Sequence, residues 1–229
     1  MIKHHPSRAV LEQFVAGELH DSVSVIVASH IEMCPDCQEL VFQLTEQAAL
    51  DAFELSDVCL SSDNFDFYSA DFDESKAIQL ANLITETQDE FLVEQPVKST
   101  EIKFENKKIE LPRAMSSIVL KEWQGLGKVS RARLQLDDDE RRMSLLHIAE
   151  GGNIPSHSHN GFEITLLLQG SFEDEMGHYQ AGDFIWLDGE HTHTPATKEG
   201  CVCLTVSSDA IHFTQGVSQI FNPLGKLIY

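Results

Sequence analysis

The 229-residue chain has no apolar run approaching the roughly 18 residues that a bilayer-spanning helix needs. Nor does it open with the charged segment, apolar stretch and small-residue cleavage site of a secretory leader, so a soluble, cytoplasmic protein without a membrane partner is expected. Basic residues are scarce: 16 Lys and Arg stand against 37 Asp and Glu, for a formal net charge of −21. A surface of that sign repels phosphates, which argues against direct nucleic-acid binding. Cysteines number five, an odd count, and Cys201 and Cys203 sit too close together for an ordinary bridge. A disulfide scaffold is therefore not expected, and a reducing compartment fits. No internal repeat is visible, and no βαβ pattern surrounds Cys34-x-x-Cys37 to suggest thioredoxin-like redox chemistry.

What is present falls into two halves of different character. Ser7 is a plausible N-cap for a helix whose apolar positions are Val10, Leu11, Phe14, Val15 and Leu19, an i, i+3, i+4 pattern. A second helix is predicted from about Ser22 to Met33, and Pro35 can open a third with Leu40, Val41, Leu44 and Ala48 on its apolar face. Glu54 to Glu74 reads as a long acidic connection, and Ile78, Leu80, Ala81, Leu83 and Ile84 predict a short amphipathic helix over Lys76–Thr87. Between Glu46 and Glu101 fourteen acidic residues face only Lys76 and Lys98 as basic ones, a solvated face or a surface that steers a basic protein partner.

Beyond Lys107 short apolar runs take over at Ser116–Leu120, Ser144–Ile148, Ile164–Leu168, Phe184–Leu187 and Val202–Val206, punctuated by glycine or charged turns. That punctuation predicts an all-β sandwich or barrel. The expected organisation is an α + β two-domain chain: a small helical domain over 1–95, a linker over 96–106 around Pro96, and a β domain over 107–229.

Each half carries a metal-ligand pattern. His30 and Cys34 lie one helical turn apart, and Cys37 follows across a Cys-Pro-Asp-Cys turn that joins two helices. Thiolates mixed with imidazole favour zinc in a closed tetrahedron, with the fourth ligand expected from the His4-His5 pair. The other reading is a pair of buried thiols with His30 interacting with its helix dipole. In the second half, Gly151-x5-His157-x-His159-x3-Glu163-x6-Gly170 has the first cupin motif without a gap. The even spacings place His157, His159 and Glu163 on one face of a strand. Gly182-Asp183-x4-Asp188-Gly189-Glu190-x2-His193 is similar to the second cupin motif, with Asp188, Glu190 and Thr197 departing from it at turn positions. His193 is the expected fourth ligand and His191 a substitute; His147, His178 and His212 match no ligand position. Three imidazoles and a carboxylate suit zinc or another divalent metal.

Ile2-Lys3-His4-His5, Ala16-Gly17-Glu18-Leu19 and His30-Ile31-Glu32-Met33-Cys34-Pro35-Asp36-Cys37 together resemble the zinc-binding anti-sigma domain. The order of that domain and a cupin is similar to the ChrR branch of the family. The resemblance implies zinc ligands at His5, His30, Cys34 and Cys37, with His4 as the alternative if the register slips by one. It also implies a second metal at His157, His159, Glu163 and His193. Its implied function is sequestration of an extracytoplasmic-function-type sigma factor without catalysis, the cupin serving the response to singlet oxygen or related oxidative stress. The alternative is a metal-dependent cupin enzyme such as a dioxygenase or isomerase, although no second acid, base or nucleophile specifies a reaction. A metal-storage or structural module is the third reading.

Overall fold

A computed structural model describes residues 1–60, 100–104, 107–138 and 141–214. Three helices come first: α1 (Arg8–Ala16), α2 (Asp21–Met33) and α3 (Pro35–Leu60). Ser7 caps α1, its Oγ accepting from the Val10 amide at 3.3 Å, and Gly17 closes the helix in the left-handed conformation at φ 71°. Replacing Ser7 by alanine is expected to cost about 1 kcal/mol, read as a lowered urea midpoint with unchanged slope.

The strands are β1 (Thr100–Phe104), β2 (Lys107–Leu111), β3 (Val119–Leu120), β4 (Gln124–Leu126), β5 (Val129–Gln135), β6 (Arg142–Ile148), β7 (His157–His159), β8 (Glu163–Glu173), β9 (His178–Gln180), β10 (Phe184–Leu187), β11 (Cys201–Ser207) and β12 (Ile211–Phe213). One sheet runs in the order β10-β8-β11-β6-β5-β3, with β4 on β5 and β9 on β8; β7 pairs with β12 and β1 with β2. The observed pairings are antiparallel.

Alternation along the central strands sorts their side chains onto two faces. Ile164, Leu166 and Leu168 of β8, Val202, Leu204 and Val206 of β11, and Met143 and Leu145 of β6 share one core with Leu11, Val23, Ile26 and Val27 of the helices. Their neighbours Leu167, Cys201, Cys203 and Ile148 belong to a second core on the opposite face, together with Phe172, Tyr179 and Ile185. The central strands are thus apolar on both faces because helices cover one of them, which accounts for runs such as Ile164–Leu168 that do not alternate.

Two compact units result. Met1–Thr45 and Ser99–Tyr229 form one, and Glu46–Lys98 the other. This differs from the expected division at 95 and 107: the first helices pack on the β domain, and Thr100–Phe104, expected within the linker, is strand β1, Thr100 opposite Leu111 and Phe104 opposite Lys107. Helix α3 extends to Leu60, so the acidic connection does not begin at Glu54. The run Ser116–Leu120 is strand only at its last two residues, after a 3-10 turn over Arg113–Met115. The expected helix over Lys76–Thr87 lies outside the described residues, as does the chain beyond Thr214. Among the described residues no helix is long and apolar enough to cross a membrane.

Helix α2 obtains its N-terminal cap from the β domain. Its local cap position, His20, makes no side-chain capping bond; instead Asp138, buried in the β5–β6 loop, accepts from the Ser22 amide at 3.0 Å and from the Ser22 hydroxyl. Arg141 Nη1 lies 3.5 Å from the same carboxylate. Asp138→Ala leaves a buried amide and hydroxyl without this acceptor, at an expected cost of roughly 2 kcal/mol in urea unfolding.

Candidate metal centres

The amino-terminal cluster forms where α2 meets α3. Ending α2 at Met33 and starting α3 at Pro35 leaves Cys34 extended, at φ −118° and ψ 104°, while Cys37 lies in the first turn of α3. One ligand atom from each of His5, His30, Cys34 and Cys37 falls within 4.8 Å of the others. His5 Nδ1 is 3.4 Å from Cys34 Sγ and 3.5 Å from Cys37 Sγ, and His30 Nε2 is 3.3 Å from Cys37 Sγ. The neighbouring His4 turns its ring onto Tyr179, with centroids 4.9 Å apart, and takes no part in the cluster.

The hydrogen-bonding pattern determines which atoms are available. A carbonyl can only accept, so His30 donates Nδ1–H to the Gly182 carbonyl at 2.9 Å, which leaves the Nε2 lone pair aimed at the thiols. Burial, with the nearby His5 ring, lowers the His30 pKa to about 4, so the imidazole is neutral. The Cys37 thiol is pushed up to about 12 by burial and by its neighbour Cys34. Two buried sulfurs beside two imidazoles suit a cation that can hold them as thiolates, and two sulfurs with two nitrogens is a zinc-type donor set.

The second cluster lies inside the β domain. His157 and His159 point inward from the short strand β7, whereas Glu163 opens the next strand, β8. The expectation that all three share one strand is therefore corrected: residues between β7 and β8 turn the chain, and Glu163 reaches the rings from an adjacent element. His193 enters through an antiparallel bridge to His157, the two residues exchanging backbone bonds of 3.1 and 3.0 Å. This pairing sets the rings side by side, with their Nε2 atoms 3.0 Å apart.

His157 donates Nδ1–H to the Pro155 carbonyl at 2.9 Å, and His193 directs Nδ1 to the Asp174 carboxylate at 3.1 Å. Both Nε2 lone pairs then face each other, an arrangement that a shared cation relieves. His159 Nε2 lies 3.0 Å from Glu163 Oε2, and neither nitrogen of this buried ring makes a directed hydrogen bond. Burial lowers the His157 pKa to about 4. Burial alone would raise Glu163, but the His159 ring, with His157 and His193, holds its carboxyl below the usual range. The donor set fits a divalent metal, and it borders a cavity of about 670 Å³ whose lining includes Phe172, Thr165 and Cys203.

His191 is exposed and bonded to Asp188 at 2.6 Å, away from the cluster. Thr197, in place of the motif's asparagine, accepts from the Gly200 amide at 2.9 Å and donates to the Ser171 carbonyl at 2.6 Å, serving the turn. Cys201 and Cys203 are buried free thiols, with a bulge in the strand register between Val202 and Cys203. His147 is a packing residue, buried against Phe104. Asp174, the carboxylate that orients His193, was not singled out by sequence reasoning, since it lies 19 residues before its partner and in no motif. Asp183 was noted only as part of a motif, and its contacts reach the first residues of the chain.

Residues 115–210 match the family described as the ChrR cupin-like domain. Over 236 aligned positions, 99% of each chain, the protein is 27% identical to the anti-sigma-E factor ChrR of Cereibacter sphaeroides. A crystal structure of Rhodobacter sphaeroides SigE in complex with the anti-sigma ChrR is also similar, with a TM-score of 0.61 and 27% identity, covering 90% of this chain and 99% of that one. The similarity takes in the helical segment as well as the β domain: over its whole length the chain resembles ChrR-type anti-sigma factors with a carboxy-terminal cupin domain.

Proposed function

We infer that the protein is a zinc-dependent anti-sigma factor: it sequesters an extracytoplasmic-function-type sigma factor in the cytoplasm and represses transcription from that factor's promoters. The observation that carries this reading is similarity along 99% of the chain to an anti-sigma factor, together with a Cys2His2 donor cluster at the junction of α2 and α3. The similarity is to a regulator and not to an enzyme, and the function requires no reacting group. Net charge of −21 suits a partner whose polymerase- and promoter-binding surfaces are basic. Phe42, 60% exposed on α3, is available as an apolar anchor, whereas Leu11 is core. In this reading zinc in the amino-terminal cluster holds the helices in the binding conformation. The His157, His159, Glu163 and His193 cluster binds a second metal and serves the response to singlet oxygen or related oxidative stress.

Co-expression of the full chain with each extracytoplasmic-function-type sigma factor of the same cell tests the assignment. The expected result is a one-to-one complex containing zinc that blocks the sigma factor from joining core polymerase. No complex with any candidate, accompanied by bound iron and oxygen uptake, would overturn it in favour of a cupin enzyme.

A further inference from the structure

The amino-terminal cluster is not built by the helices alone. Residues Met1–His4 lie along the turn between β9 and β10, and that turn binds them at several points. Asp183, fully buried, accepts from the Lys3 amide at 2.7 Å and the His4 amide at 3.0 Å through Oδ1, and from the Gln180 amide at 2.9 Å through Oδ2. The Phe184 amide donates to the His4 carbonyl at 3.0 Å, and Gln180 Nε2 to the Met1 carbonyl at 2.6 Å. Gly182, at φ +93°, sits so close to Ile2 that a Cβ there would run into its side chain. The Gly182 carbonyl is also the acceptor that orients His30. Two ligand candidates of the amino-terminal cluster, His5 and His30, are therefore placed by two adjacent residues of the β domain.

The same turn leads toward the second cluster. Strand β10 begins at Phe184, immediately after Asp183, and pairs with β8 so that Phe184 lies opposite Leu166 and Leu187 opposite Glu163. One short strand, apolar at Phe184, Ile185 and Leu187, connects the carboxylate that holds the chain's first residues to the register position of a ligand candidate in the cupin.

We propose that Asp183, in the β9–β10 turn, is a positioning residue for the amino-terminal metal cluster, fixing the backbone that carries His5. The inference rests on the reading of His5, His30, Cys34 and Cys37 as a metal centre and adds what governs its hold on the metal. Exposed His5 is the ligand whose backbone is tethered only through the preceding residues and the start of α1, so loss of the Asp183 bonds frees this corner of the cluster first.

The test is zinc release from the full-length chain into an excess of a chromophoric chelator, with the amino-terminal phase identified as the one missing from a C34A/C37A chain. D183N turns one carboxylate oxygen into a donor facing backbone N–H groups, and K3P removes the Lys3 N–H while leaving the Asp183–Gln180 bond intact. Both are expected to speed the amino-terminal phase by about tenfold, the lower end of what loss of an outer contact costs a metal site, because the backbone that carries His5 loses its anchor, with the cupin phase unchanged in K3P. An amino-terminal phase in K3P and D183N as slow as in the parent would overturn the proposal. If D183N speeds both phases because the cupin itself loosens, K3P decides alone, and a parent-like rate in K3P overturns it. Absence of any phase that C34A/C37A removes would instead sink the metal reading, and the positioning role of Asp183 with it.

Discussion

Replacing Cys34 and Cys37 together by alanine is expected to remove the zinc proposed for the amino-terminal cluster and to weaken the proposed sigma-factor complex by roughly 100-fold or more. Both sulfurs are buried, at 1% and 4% exposure, and they supply half of the donor atoms that converge there. Without them His30 Nε2 points at two methyl groups, and no donor pair joins the start of α3 to the end of α2. The chain should nevertheless remain folded, for reasons seen in the packing. Helix α2 is still capped by Asp138, the Arg113 amide still donates to Glu32 at 2.8 Å, and Val23, Ile26 and Val27 still lie in the shared core. The expected signature is therefore a lost metal and a lost complex with a persisting cooperative melt. Zinc analysis and size-exclusion chromatography of the co-expressed pair measure it. A complex of parent affinity carrying one zinc fewer would show that the helices hold their binding conformation without the metal.

The opposite phenotype is expected at the second cluster. His159→Ala should lower metal affinity there by at least roughly 100-fold while leaving the sigma-factor complex intact in unstressed cells. His159 is buried, its ring nitrogens have no directed hydrogen bond, and its Nε2 lies 3.0 Å from Glu163 Oε2, nearer than that of His193 at 3.8 Å. Its removal leaves the Glu163 carboxylate with His157 and His193 as its imidazole partners and the cluster one donor short. Reporter transcription from a promoter of the partner sigma factor, followed under a photosensitiser and light, reads the result. Repression should persist in the variant and fail to lift. Normal induction with His159→Ala would remove the cupin metal from the sensing pathway.

Much of this site was legible before any coordinates, and the reason is periodicity. His30 and Cys34 are one turn apart on any helix, and His157 and His159 share a face on any strand, so local backbone geometry brings each pair together wherever the chain goes. The same holds for Ser7 as a cap and for Phe184–Leu187, whose strand has the bounds that its apolar run suggested. Glu163 was legible as a donor, and the Asn160-Gly161 pair was a turn signal that set it on a separate strand, but the even spacing from His157 and His159 suggested one continuous strand instead. The run Ile164–Leu168, apolar on both faces from Leu166 to Leu168, contained a further clue. A strand with one wet face alternates, and this one does not, which already implies cover on both sides. What covers it could not be read from the run itself.

By itself the sequence determined the pairs His30–Cys34 and His157–His159, the cap of α1, the bounds of the strand at Phe184–Leu187 and the acidity of the chain, since each follows from residue type and from spacings shorter than two turns. Only the tertiary structure decided that α1 and α2 pack on the cupin, that Asp174 orients His193, and that His5 rather than His4 faces the thiols. The physical reason is the same in each case. These outcomes depend on hydrogen bonds and packing between residues far apart in the chain, such as the bond from the Lys3 amide to Asp183 across a separation of 180 residues, and no local period encodes such a contact.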